Sequence, residues 1–372
     1  MNDINKCSLC GQNEANQTGS HILPFSLIKE TINEEGKSQR DFEIAYSMSN
    51  SDFASTYFGR NVTPGKIMKE IGKEMSEADI VHNNNPFVKD NFLCTFCEQR
   101  LGKLENEFKS AVYDSIEDQI LLSNEKDSNE NILLQLGDYE RNVFYLLAYS
   151  IFWRCSVTNY GGFNLRPEIQ ENLRQVLNDG LKKEQKELSS HLKVLEYTDF
   201  KYPLFVCYLM TPQNENQTEN IVRINHTKIP YYIWLNRMVL QLYARPRQVG
   251  ASVEYFFGLS RYMNIKEWHL YNKSKGSFSI KSISNERRKE VLGIIYKSYA
   301  EDQLKLARSL FIEVYKSIFN KRPDESLIPE LVKTFIAINE NEQFKYSRKT
   351  YVKATYIVLK KHYPKMFIEE VI

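Results

Sequence analysis

Cys7-Ser8-Leu9-Cys10 and Cys94-Thr95-Phe96-Cys97 are two Cys-x-x-Cys segments separated by 83 residues. Each such segment can present two thiolates from one tight turn, and two turns complete a tetrahedral site for Zn²⁺. The alternative for these cysteines is burial as small apolar residues or pairing in disulfides. We expect a structural zinc site formed by all four, which would join the two ends of a long intervening segment.

The segment between the cysteine pairs contains Ser20-His21-Ile22-Leu23-Pro24 near its start. Residues 21–23 predict a short strand, which Pro24 ends because proline lacks a backbone N–H donor. Residues 28–90 are polar, with one predicted helix from Gly65 to Ala78. Since compact zinc ribbons separate their cysteine pairs by only about 15–20 residues, we expect residues 28–90 to be an insertion.

A helix is predicted to begin at the second cysteine pair. Its buried face is marked by four apolar residues at helical spacing, Leu101, Leu104, Phe108 and Val112. Glu98 lies in the first turn, where the helix dipole favours an acidic side chain in any case. Glu98 is therefore either an ordinary helix-start residue or an oxygen ligand for a metal ion.

His21 is the candidate base of this region. Hydrolysis of a phosphodiester needs a base that activates water and a cation that neutralises charge on the phosphate. A neutral imidazole on a strand beside a metal-bearing helix would supply the first and lie close to the second. The alternative for His21 is a buried structural histidine.

The combination of Cys7-x-x-Cys10, Ser20-His21-Ile22-Leu23-Pro24 and Asn91-Phe92-Leu93-Cys94-x-x-Cys97 resembles the zinc-containing subgroup of the HNH (ββα-metal) endonucleases. The resemblance is confined to the first 110 residues or so. It implies a metal-dependent endonuclease in which His21 is the general base and Asn91 orients it through the backbone. It also implies a catalytic Mg²⁺ or Mn²⁺ at the helix, with Glu98 as its candidate ligand. A role in bacterial antiviral defence follows by analogy alone.

This chain departs from the family pattern in three places. Ser20 stands where an acidic residue usually precedes the histidine, no histidine follows Cys97 on the helix, and the insertion is long. Gln99 and Glu105 are other possible oxygen ligands on the helix, and His82 could contribute from the insertion. The departures favour an alternative function, a non-catalytic zinc-stabilised module for binding or assembly.

The remainder of the chain predicts a second, mostly helical domain. We expect a zinc domain over residues 1–120 and a mixed domain over 121–372, with the boundary in the polar stretch 122–137. Helices are predicted over 139–158, 167–179, 286–320, 325–339 and 345–363, and strands over 204–210 and 221–224. Residues 231–243 fit a strand or a helix. The predicted fold class is α+β.

Charge is distributed unevenly between the two halves of the chain. Residues 1–186 carry 20 basic and 28 acidic side chains, whereas residues 187–372 carry 29 basic and 19 acidic ones. A basic half suits a polyanionic partner, although attraction between the halves or plain solvation would explain it too. We expect nucleic acid as a partner, DNA more than RNA, and a protein partner for the second domain.

The expected location is the cytoplasm. The first residues are polar and lack the apolar core of a secretory signal. The longest apolar run, Val143 to Trp153, is too short to span a bilayer, so no membrane partner is expected. Cytoplasmic thiols stay reduced, which favours metal binding by the cysteines over disulfides.

Overall fold

The structure is a computed structural model. It describes residues 5–32, 43–47, 53–59, 61–71, 85–116, 118–119, 133–195, 200–209, 221–224, 230–248, 278–341 and 346–367. The strands are β1 (Ser20–His21), β2 (Ile44–Ser47), β3 (Ser55–Phe58), β4 (Val88–Lys89), β5 (Leu133–Leu136), β6 (Leu204–Leu209), β7 (Val222–Ile224), β8 (Tyr231–Leu235), β9 (Met238–Leu242) and β10 (Phe278–Ile283). The helices are α1 (Phe25–Ile32), α2 (Pro64–Ile71), α3 (Thr95–Phe108), α4 (Asp138–Val157), α5 (Pro167–Gly180), α6 (Gln185–Val194), α7 (Asn285–Phe319), α8 (Leu327–Asn341) and α9 (Arg348–His362). The predicted α+β class is confirmed.

Two compact units make up the chain, and each contains two separate segments. Unit 1 consists of residues 1–38 and 85–291, and unit 2 consists of residues 39–84 and 292–372. The four cysteines of the predicted zinc site therefore belong to the same unit as α4, α5 and strands β5 to β10. The predicted division into domains of residues 1–120 and 121–372 stays a prediction.

The main sheet of unit 1 has six strands in the order β5-β10-β6-β9-β8-β7. β10 and β6 are parallel, and every other neighbouring pair is antiparallel. Every residue of β6, β8 and β9 is buried, so these strands have apolar runs instead of alternation. The ambiguous residues 231–243 form the β8–β9 hairpin, whose turn includes Asn236 in the left-handed conformation with φ 51°.

Helix α4 forms the centre of unit 1. All but a few residues at its ends are buried, which explains why the sequence there is apolar on every face. The buried Tyr149 hydroxyl donates to the carbonyl of Tyr202 (2.8 Å) and accepts from its amide (2.9 Å), just before β6. At the end of α5, a Cβ on Gly180 would lie 2.8 Å from a Leu146 methyl group, so glycine permits the close packing of α5 on α4.

Unit 2 joins part of the insertion to the C-terminal helices. Phe53, just before β3, stacks on Tyr351 of α9 with ring centroids 4.9 Å apart and meets Phe335 of α8 at 6.1 Å. Ala54 also forms a parallel bridge with Ser347. The predicted helix at 65–78 is present as α2 over Pro64–Ile71, and residues 72–84 lie outside the described residues. The insertion thus contributes to a hydrophobic core with helices near the end of the chain.

Within the described ranges, no helix has the length and apolar character that crossing a membrane requires.

Candidate metal centre and the histidine beside it

The four predicted cysteines form one cluster. The Sγ atoms of Cys7, Cys10, Cys94 and Cys97 all lie within 4.8 Å of one another, and those of Cys10 and Cys94 are 4.0 Å apart. Tetrahedral Zn²⁺ with Zn–S bonds of about 2.3 Å places its sulfur atoms about 3.8 Å apart. The cluster therefore has the ligand type, number and spacing of a structural zinc site.

Backbone hydrogen bonds form the two cysteine turns and join them. The Gly11 amide donates to the Cys7 carbonyl (2.8 Å) and closes the first turn, with Gly11 itself at φ 67°. The Ser8 amide donates to the carbonyl of Phe92 (2.9 Å), so the first turn is bonded to the segment that precedes the second. Main-chain hydrogen bonds therefore hold the two cysteine pairs close to each other, in addition to any bound ion.

Arg100 supplies positive charge to the sulfur atoms. This side chain is only 3% exposed. Its Nη2 donates to Cys97 Sγ (3.0 Å) and its Nη1 donates to the carbonyl of Leu181 (2.5 Å). Four thiolates around Zn²⁺ carry a net charge of −2, which a neighbouring guanidinium stabilises. A hydrogen bond from Cys97 lowers the pKa of Cys7 to about 4, while that bond and burial raise the pKa of Cys97.

His21 lies on a two-stranded antiparallel sheet beside this cluster. β1 pairs antiparallel with β4, with His21 opposite Val88, and the Ile22 amide extends the pairing by donating to the Phe87 carbonyl (2.9 Å). The imidazole is half-buried and its ring centroid is 6.0 Å from that of Phe25. The predicted strand at 21–23 is therefore present, but it covers Ser20–His21 and ends before Ile22.

Asn91 lies two residues beyond β4, the strand that pairs with the His21 strand. It is exposed and adopts the left-handed conformation with φ 55°. Its amide donates to the carbonyl of Gln17 (2.8 Å), and its carbonyl accepts from Asn5 Nδ2 (2.6 Å). These contacts hold the loop between β4 and α3 against the N-terminal segment. The orienting role of Asn91 towards His21 stays a prediction.

Glu98 and Ser20 lie together where α3 approaches β1. Burial raises the pKa of Glu98, and the nearby Ser20 hydroxyl and Arg154 partly offset that effect. Ser20 is fully buried, and its Oγ has no partner of normal hydrogen-bond geometry among the described residues. Ser20, His21 and Glu98 therefore lie in one region of unit 1.

Sequence reasoning missed Arg154 as part of this region. Arg154 comes from α4 and its Nη1 donates to Glu105 Oε1 (2.7 Å) and to the carbonyl of His21 (2.8 Å). Glu105 therefore has a buried cationic partner, which makes it a poorer candidate for a metal ligand than Glu98. The one available signal was an arginine directly after the long apolar run of α4.

The described residues contain one group of three or more side chains that could hold a metal ion. Among them, the four cysteines are the only group of three or more His, Cys, Asp or Glu side chains close enough to hold one ion. His82, the candidate ligand from the insertion, lies outside the described residues. The roles of His21, Asn91 and Glu98 in catalysis therefore remain predictions.

Comparison with protein-family models, with curated proteins and with solved structures found no match to this chain.

Proposed function

We propose that this protein is a metal-dependent endonuclease of the HNH type, which hydrolyses phosphodiester bonds in nucleic acid. The observation that carries the proposal is the β1–β4–α3 arrangement beside the cysteine cluster. His21 lies on the first strand, Asn91 follows the second strand, and Glu98 lies in the first turn of the helix. The motifs that resemble the family are thus adjacent in space and in the chain order expected of a ββα-metal site.

In this proposal the neutral His21 imidazole accepts a proton from a water molecule. The water oxygen forms a bond with phosphorus as the bond from phosphorus to the leaving sugar oxygen breaks, and the leaving oxygen takes a proton from solvent. A divalent ion, Mg²⁺ or Mn²⁺, would neutralise charge on the phosphate when bound, with Glu98 as its candidate ligand. The cysteines would hold Zn²⁺ and the scaffold only.

The direct test is cleavage of plasmid DNA and of single-stranded RNA by the zinc-loaded protein with Mg²⁺ or Mn²⁺. General-base catalysis contributes about 10²–10⁴-fold, so His21→Ala should cut at least about 100-fold more slowly while retaining one zinc per chain. His191→Ala is the matched control, because His191 lies on α6 outside the proposed site, and it should cut like wild type. Wild-type protein with zinc bound that cuts neither nucleic acid under either metal would rule out the endonuclease.

Nucleic acid is the proposed partner, with DNA favoured over RNA, and α9 of unit 2 is the proposed contact. This helix has no acidic residue and carries five Lys or Arg side chains with one His. Lys361 and His362 pair with Glu330. Lys349 and Lys353 lie on the exposed surface of the helix, and Lys360 contacts Tyr356, which is 45% exposed. Cations interleaved with an aromatic ring suit a phosphate backbone and its bases.

A non-catalytic binding or assembly module is the second candidate. The observation that favours it is the lack of a second ligand cluster among the described residues, together with Ser20 in place of an acidic residue. An open groove of about 520 Å³ between α8 and α9, lined by Ala337, Ile338 and Ile357 with Lys333 and Lys353, would suit a protein partner. Binding of DNA without cleavage by any metal-loaded form would favour this candidate.

A further inference from the structure

Arg154 is a buried cation whose contacts converge on the proposed site. Its side chain is 2% exposed, between the buried residues Trp153 and Cys155 of α4. A buried guanidinium without partners costs several kcal/mol, so such a residue persists only with a full set of acceptors. Those acceptors show what the residue holds in place.

The Nη1 atom of Arg154 joins two different elements. It donates to the carbonyl of His21 in β1 (2.8 Å) and to the carboxylate of Glu105 in α3 (2.7 Å). The rest of the guanidinium is held by Ser150 on the preceding turn of α4, through contacts of 3.3 Å to its Oγ and 3.4 Å to its carbonyl. A planar group fixed at both ends therefore sets the distance between β1, α3 and α4.

β1 needs such support because it has only two residues. It pairs with β4 on one edge, at Lys89 and Val88, and a two-stranded ribbon this short is not stable by itself. Fixing the His21 carbonyl restricts the backbone from which the imidazole projects. This hydrogen bond is made by the main chain of His21 and not by its imidazole.

We propose that Arg154 is a positioning residue for His21, acting through the His21 backbone carbonyl and fixing β1 against α3. This inference rests on the proposed endonuclease function, in which His21 is the base. Arg154 is too deeply buried to contact a nucleic acid, so its contribution would be to the geometry of the base. A misplacement of about 1 Å in a catalytic group can lower a rate by about 10²-fold.

The first variant for the test is Arg154→Lys. Lysine keeps the charge, but one ammonium cannot reproduce the planar fork that serves a carbonyl, a carboxylate and Ser150 together. Arg174→Lys is the matched control. Arg174 Nη1 also donates from α5 to a backbone carbonyl near the cysteines, that of Leu9 (2.8 Å), while pairing with Glu171, but it does not contact β1.

The first measurement is steady-state cleavage per zinc-loaded chain. Arg154→Lys should lower kcat by about 10- to 100-fold with little change in KM, whereas Arg174→Lys should change neither by more than about twofold. A merely structural role would lower the amount of zinc-loaded protein and leave kcat per loaded chain unchanged. An unchanged kcat in Arg154→Lys would overturn the proposal.

The second measurement does not depend on cleavage. In NMR spectra of ¹⁵N-histidine-labelled protein, each of the six histidines gives imidazole signals. The signals that are lost in His21→Ala belong to His21. The His21 signals should shift in Arg154→Lys and stay in place in Arg174→Lys. Unshifted His21 signals in Arg154→Lys would overturn the positioning role. If these signals shift but wild-type protein cuts no nucleic acid, the endonuclease proposal alone is overturned.

Discussion

Three arginines connect the cysteine region to the rest of unit 1 by donating to backbone carbonyls. Arg100 bonds to Leu181 after α5, Arg154 bonds to His21, and Arg174 bonds to Leu9 in the first cysteine turn. A carbonyl acceptor is present whatever side chain the residue carries. Of the three, Arg100 alone also donates to a sulfur atom, and Arg154 alone donates to the strand that carries His21.

Arg100→Met should weaken zinc binding by about 10- to 100-fold, because a ligand sulfur loses a charged hydrogen-bond donor. Competition with a chromophoric zinc chelator measures the affinity. Lys103→Met is the control, one turn along the same helix, where Lys103 pairs with Glu107 (2.6 Å) and does not contact the cysteines. Equal zinc affinity in Arg100→Met and wild type would contradict the role assigned to Arg100.

The four cysteines could be predicted from sequence, and the arginines could not. A Cys-x-x-Cys spacing encodes its own geometry, because both ligands lie on one turn. Arg154 acts on His21 and Glu105 only after β1, α3 and α4 have packed. Its sequence neighbours indicate a buried helix and give no sign of which carbonyl it will meet.

At the scale of elements, Glu107 near the end of α3 connects three helices. It accepts hydrogen bonds from Lys103 (2.6 Å), from Ser189 of α6 (2.5 Å) and from Tyr139 of α4. Burial opposes ionisation, but these three bonds outweigh it and lower the pKa of Glu107 to about 2. The ionised carboxylate is therefore part of the packing of α3 against α4 and α6.

The contribution of Glu107 to stability should depend on pH. Because its folded-state pKa is below its unfolded value, the contribution is complete above about pH 4.5 and is lost as the pH falls from there to about 2; it is at most about 3 kcal/mol. Urea unfolding should show Glu107→Gln to be less stable than wild type at pH 7, with a smaller difference at pH 3. Glu187→Gln, at an exposed position of α6, should show no such trend, and a gap for Glu107→Gln that does not narrow at pH 3 would contradict the assignment.

Helices were easier to predict than strands in this chain. α4, α5 and α7 to α9 lie within a few residues of their predicted bounds, because proline at the start of α5 and helical periodicity are local signals. β5 and β10 were not predicted, and β5 falls inside the polar stretch 122–137. These two strands pair with each other across more than 140 residues, so their partners cannot be identified from local sequence.

On the scale of the whole molecule, loss of zinc should affect unit 1 and spare unit 2. Structural zinc binding is folding free energy, and the cysteines belong to unit 1 together with the main sheet. Unit 2 has its own buried cluster, which includes Phe311, Phe335 and Tyr351.

Cys94→Ser should therefore release zinc and speed amide hydrogen exchange across β1, β4 and α3, while α8 and α9 keep their protection. Hydrogen–deuterium exchange with mass spectrometry measures both regions in one sample. Wild-type protein treated with a chelator and then resupplied with Zn²⁺ is the control and should recover its protection. One zinc per chain retained by Cys94→Ser would count against a four-cysteine site.

The packing of Phe53 against Phe335 and Tyr351 also has a consequence for synthesis on the ribosome. Residues 39–84 leave the exit tunnel well before their partners, because about 200 residues separate them from residue 292. At about 5–20 residues per second, that interval lasts about 10–40 s. Throughout that interval Phe53 lacks the aromatic partners it packs against in the folded protein, and a chaperone would then protect the nascent chain from aggregation.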